Sequence, residues 1–108
     1  MAFTVRFTSG AREDLRSIHA YISANDCKEN ADYVAGEIVR AALTLREFPN
    51  RGVYPPELLQ VGSRSYRQIF FKPYRILYRV RANKVFIASI ADGMRDMQPL
   101  LARRLSGK

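Results

Sequence analysis

Apolar and polar positions change their period twice along this chain. Phe3-Thr4-Val5-Arg6-Phe7 alternates strictly, the mark of a strand with one buried face. Leu15, Ile18 and Ile22 then recur at three- and four-residue spacing, which predicts a helix over about residues 10–24. Ser9 is its expected N-cap, with Glu13 and Asp14 in the first turn where the helix dipole favours anions. Asn25-Asp26-Cys27-Lys28-Glu29 interrupts the stripe and offers a second start, with Asp26 as N-cap and Glu29 at the N3 position of a capping box. The next stripe, Val34, Ile38, Ala41, Ala42, Leu45 and Phe48, predicts a second helix ended by Pro49 and the loop residues Asn50, Arg51 and Gly52. The short break between the two stripes makes them a helical hairpin.

From Pro49 to Gly62 the chain carries Pro55-Pro56 and two glycines with no sustained period, so it reads as a connecting loop. The period then returns to two. Ser65–Phe71, Tyr74–Arg81 and Lys84–Ala91 are rich in Tyr, Phe, Ile and Val and are separated only by Lys72-Pro73 and Ala82-Asn83, which predicts three antiparallel strands joined by tight turns. After Asp92-Gly93, the leucines 100, 101 and 105 have helical spacing, and a short tail helix is expected within Asp96–Leu105, beginning near Pro99. The reading is an α+β fold, β-α-α-β-β-β-(α), with a helical hairpin packed on one face of a small antiparallel sheet. At 108 residues the chain holds one domain, 1–108.

Composition and charge add a direction. At 47% hydrophobic and 26% charged residues, the chain has the means to form a core and is not disordered. Its longest predominantly apolar run, Val85–Ala91, is far shorter than the ~20 residues of a membrane helix. Met-Ala-Phe-Thr-Val-Arg has no secretory h-region and Cys27 is the only cysteine, so a cytoplasmic location is expected. The net charge of +8 is one-sided. Residues 1–50 carry six basic and seven acidic side chains, whereas residues 51–108 carry twelve basic and three acidic. Such asymmetry points to a polyanionic partner, either nucleic acid or an acidic protein segment.

Alternation along Tyr74–Arg81 sends Tyr74, Ile76, Tyr78 and Val80 to one face and Arg75, Arg79 and Arg81 to the other. Arg67 on the neighbouring strand joins the same basic field if the registers permit. Guanidinium groups on one face of a sheet whose other face carries helices make a surface suited to anions, against the alternative of a solvated face with snorkelling stems. The inventory for catalysis is poor. His19, next to Ile18, reads as a helix-flank histidine, and Cys27 as a helix-start residue without a base. One His and one Cys cannot furnish a metal site, and no Gly-rich phosphate loop is present, so no metal and no cofactor is implied. What chemistry remains is charge stabilisation by arginine.

The N-terminal strand followed by Ala11-Arg12-Glu13-Asp14-Leu15-Arg16-Ser17-Ile18-His19-Ala20-Tyr21-Ile22, the strand Tyr74–Val80, and the ending Ala91-Asp92-Gly93-Met94-Arg95-Asp96-Met97 together resemble the RelE/ParE toxin superfamily, closest to its ParE branch. The resemblance spans nearly the whole chain. It implies the toxin half of a bacterial type II toxin–antitoxin module, neutralised by an antitoxin whose disordered C-terminal part folds around it. ParE-like members act on DNA gyrase and trap its cleaved DNA complex, while RelE-like members cut mRNA in the ribosomal A site.

Within that superfamily Arg67, Arg75 and Arg95 match basic positions of the nucleases. Ile69 stands where a second strand lysine is expected, and Leu100-Leu101 near the position of the tail tyrosine. RNA cleavage needs a group to take the 2′-hydroxyl proton, which arginines serve poorly. The long hairpin up to Phe48 also resembles ParE. The resemblance therefore implies a gyrase inhibitor with no catalytic residue, whose target or antitoxin surface involves Arg67, Arg75, Arg79, Arg81 and Arg95. A ribosome-dependent mRNA endoribonuclease of the RelE type is the alternative, and a non-toxic nucleic-acid-binding module a second one resting on charge alone.

Overall fold

In a computed structural model that describes residues 2–93, the alternating segments form strands and the 3.6-period segments form helices. The order is β1 (Thr4–Phe7), α1 (Ser9–Asn25), α2 (Lys28–Leu43), a 3-10 turn (Thr44–Arg46), α3 (Pro56–Leu59), β2 (Arg67–Phe71), β3 (Tyr74–Arg81) and β4 (Lys84–Asp92). The expected tail helix, Asp96–Leu105, lies outside the described residues.

The strands form one sheet in the order β1-β4-β3-β2. The three C-terminal strands are antiparallel, as the sequence predicts, but β1 lies parallel to β4, so the sheet is mixed. Nothing in the alternation of Phe3–Phe7 carries that orientation.

Helix starts differ from expectation by a residue. Thr8, not Ser9, caps α1, its hydroxyl accepting from the Ala11 amide at 3.1 Å. Glu13 and Asp14 consequently lie beyond the first turn. Cys27, not Asp26, caps α2, its sulfur accepting from the Asn30 amide at 3.4 Å, while Asp26 closes α1 through its own backbone and holds the Asn30 side chain at 2.6 Å. The capping box is therefore not formed. A hydroxyl or thiol one residue off can serve as the acceptor, so a run of several polar residues does not say which one caps.

One layer of core lies between the helices and the sheet. Ala11, Ile38, Ala42 and Leu45 pack against Ile69, Ile76, Tyr78, Val85, Ile87 and Ile90, with Val34, Ala41 and Leu15 at the margin. Phe48, expected in the stripe, is 64% exposed, because α2 has already given way to the 3-10 turn at Thr44 and the 3.6 period no longer applies. On β4 the positions buried against the helices are spaced two and then three apart, Val85, Ile87 and Ile90. Pairing jumps there from Leu77↔Ser89 to Tyr78↔Ile87, a bulge at Ala88 that breaks strict alternation. The Ile90 amide beside the bulge donates to the Asp14 carboxylate at 2.9 Å, which gives Asp14 a structural use at the sheet and not at the helix dipole.

The segment Pro49–Gly62 is more than a loop. Val53 pairs with Gln68 as an isolated bridge along the edge of β2, and α3 follows on the far side of the sheet from the hairpin. There Leu58, Leu77 and Ala91 form a second small cluster with Tyr66 against it. Both faces of β3 are thus buried over part of its length.

Candidate functional site

Antiparallel pairing places directly opposite residues on one face, so the register decides which arginines can act together. Arg75 pairs across β4 with Ala91, Arg79 with Phe86 and Arg81 with Lys84, all on the face away from α1 and α2. Arg67 pairs with Tyr78 and so stands on the helix side. The expectation of a common field for Arg67 and the other three is corrected by this register. Arg67 instead donates to the Gly52 carbonyl at 2.8 Å and to the Tyr54 hydroxyl at 3.1 Å, its guanidinium 4.5 Å from the centre of that ring.

Arg75 is not a solvated side chain either. It is 8% exposed and its donors are occupied: Nη1 and Nη2 reach the two Glu57 oxygens at 2.8 Å each, and Nε reaches Gln68 Oε1 at 2.8 Å. The bidentate contact holds the Glu57 carboxyl below its usual range, the hydrogen bonds to Arg75 outweighing partial burial. Gly93 packs on this arginine, its amide bonded to the Pro73 carbonyl at 2.6 Å, and a methyl group there would lie 2.9 Å from that carbonyl. A shallow open cleft of about 430 Å³ runs along this end of the face, between α3 and the β2–β3 turn, with Gln60, Phe70 and Lys72 in its walls. Arg75 therefore ties α3 to the sheet, which its place in a strand full of arginines does not reveal.

The open part of the face lies towards the β3–β4 turn. Arg79 is half-buried with its guanidinium 5.7 Å from the Tyr66 ring centre, and Arg81 is exposed opposite an exposed Lys84. The parallel partner of Phe86 on β1 is Arg6, which is exposed. Arg6, Lys84, Phe86 and Tyr66 thus belong to the same face as Arg79 and Arg81, and sequence reading missed all four. Alternation shows that Arg6 points away from the core, but only the pairing of β1 with β4 brings it beside Phe86. Arg95 lies outside the described residues.

His19 is on the other layer. Its Nε2 lies 2.7 Å from Asp32 Oδ1 and Lys28 Nζ lies 2.8 Å from Oδ2, so it bridges α1 to α2 in an exposed cluster. Hydrogen bonds from Lys28 first and His19 second lower the Asp32 pKa. Among the described residues no group of three or more His, Cys, Asp or Glu side chains is placed to hold a metal ion. The open face offers cations, which attract anions, and aromatic rings, on which planar groups can stack.

The family model for the ParE toxin of type II toxin–antitoxin systems, parDE, matches residues 5–97. The chain belongs to the ParE toxin family. Membership makes it a toxin of the type II toxin–antitoxin class. No curated protein sequence matches this ParE-family chain. Solved structures with its fold include the chromosomal ParDE system of P. aeruginosa, with a TM-score of 0.71 at 20% identity over 84% of this chain and 96% of that one. The toxin–antitoxin complex RelBE2 of Mycobacterium tuberculosis follows at 0.62, 22% identity, and 85% and 99% coverage. A double arginine-to-alanine mutant of the E. coli toxin RelE in the free state gives 0.65 at 14% identity over 99% and 98%. These likenesses bear on the fold, which both branches share, and the family match is what separates them.

Proposed function

We propose that this chain acts in the cytoplasm as a gyrase-directed toxin and is held inactive by a cognate antitoxin that covers it. The observation that carries this reading is the ParE-family match over residues 5–97. Two further features support it. The single histidine sits on the helical layer, across the sheet from the basic face, where it cannot take a proton from an RNA laid on the arginines. Arg75, one of the basic positions shared with the nucleases, is committed to Glu57 and Gln68 and has little freedom to stabilise a phosphorane. An antitoxin partner fits the two toxin–antitoxin systems that share this fold.

The deciding experiment gives purified toxin to gyrase with plasmid DNA, and in parallel to ribosomes programmed with mRNA. Loss of supercoiling with accumulation of cleaved DNA is expected, together with intact mRNA. Cut mRNA with normal supercoiling would transfer the chain to the endoribonuclease reading. Adding the antitoxin from the neighbouring reading frame should restore supercoiling.

A further inference from the structure

Across the open face, one row of paired positions runs Arg6, Phe86, Arg79 and then Tyr66, whose ring lies under the Arg79 guanidinium. The row beside it holds Lys84 and Arg81. No ion pair joins Arg6, Arg79, Arg81 or Lys84 to a carboxylate among the described residues, although four other arginines and lysines of the chain are so paired. These four cations around a half-buried aromatic ring give the face a positive potential that favours an anion lying between them. With strands ~4.8 Å apart, Arg6 and Arg79 stand about 10 Å apart on either side of Phe86, and the second row lies about 7 Å further along the strands.

We propose that this face binds single-stranded DNA, with phosphates held by Arg6, Arg79, Arg81 and Lys84 and a base stacked on Phe86. The inference rests on the gyrase reading above for the choice of DNA, and adds that the toxin grips a strand directly. The geometry favours a single strand over a duplex, because a base can lie on Phe86 only when it is unpaired. An acidic peptide would satisfy the cations but leave the ring between them without a stacking partner.

The test is fluorescence anisotropy with a short labelled oligothymidylate, its RNA counterpart oligouridylate, a duplex, and a polyglutamate competitor. The wild-type toxin should bind oligothymidylate more tightly than the duplex, with affinity falling as salt rises. Arg79→Gln and Lys84→Gln should each flatten the salt dependence by about one released ion. Phe86→Leu should weaken binding roughly tenfold with the salt dependence unchanged, whereas Phe86→Tyr keeps the ring and should bind as the wild type does. Arg6→Gln, a change at an exposed side chain, repeats the charge test should a β3 or β4 variant fail to fold, and Arg40→Gln on α2 should change nothing. Equal affinity for the duplex, stronger binding of oligouridylate, displacement by polyglutamate at equal charge, or an unaltered Phe86→Leu variant would each overturn the proposal. A toxin that poisons gyrase but ignores the oligonucleotide refutes this inference alone, and one that binds the strand while sparing gyrase refutes the functional reading instead.

Discussion

Tyr78 is fully buried, yet its hydroxyl donates to the Pro49 carbonyl at 2.7 Å and accepts from the Gly52 amide at 3.0 Å. Burial pushes its pKa up, so it stays a neutral donor. The ring fills the core while the hydroxyl holds the loop after α2 against the end of the sheet. Tyr78→Phe should therefore cost about 1–3 kcal/mol in urea unfolding, since it leaves the buried Gly52 amide without its partner. Gly52 is the complementary case. A methyl group there would lie 2.6 Å from the Tyr78 hydroxyl and 2.8 Å from the Gln68 carbonyl, so Gly52→Ala should destabilise by about 1–3 kcal/mol through crowding. An unchanged midpoint for both variants would show that this loop is not held by Tyr78.

Helix α3 is four residues long and has no stability of its own, so its position depends on what it touches. Leu58 enters the cluster with Leu77 and Ala91, and Glu57 meets Arg75 with side chains only 22% and 10% exposed. Arg75→Ala should accordingly destabilise by about 3 kcal/mol or more, because Glu57 and Gln68 lose their partner in a poorly hydrated place. Replacing both members of the pair by apolar residues of similar volume, Arg75→Met with Glu57→Leu, should recover most of that loss. A double-mutant cycle by thermal unfolding measures the coupling, and additive losses would mean that the pair is only incidental. Arg79→Ala is the contrast. It should stay within about 1 kcal/mol of the wild type and lose toxicity, since its guanidinium rests on Tyr66 and pairs with no carboxylate among the described residues.

For the molecule as a whole, acid removes the charge that opposes an excess of eight cations. Glu57 links that balance to a specific contact. Its pKa is lowered in the folded state by Arg75, so its contribution to stability is complete above the unfolded glutamate pKa of ~4.3 and is lost as pH falls through the lower folded value. The melting temperature should hold from neutral pH to about pH 5 and then drop, and the drop should be shallower in Glu57→Gln, which has no proton to gain there. Parallel curves for the two proteins would place the acid sensitivity elsewhere.

Much of this architecture is legible in one dimension. Strand and helix periods identify β1 to β4 and the hairpin, because alternation at two and recurrence at 3.6 are local consequences of backbone geometry. The exposure of the Arg79 and Arg81 faces and the core placement of Ile76 and Tyr78 follow from the same parity. Parity says nothing about neighbours. That β1 runs parallel to β4, that a bulge at Ala88 shifts the buried positions of β4, that Arg67 lies across the sheet from Arg79, and that Pro56–Leu59 folds over Arg75 are matters of register and long-range packing. Register is set by contacts between segments far apart in the chain, so arginines that look alike in sequence become a loop anchor, a buried tie and an open cation according to what the fold brings against each.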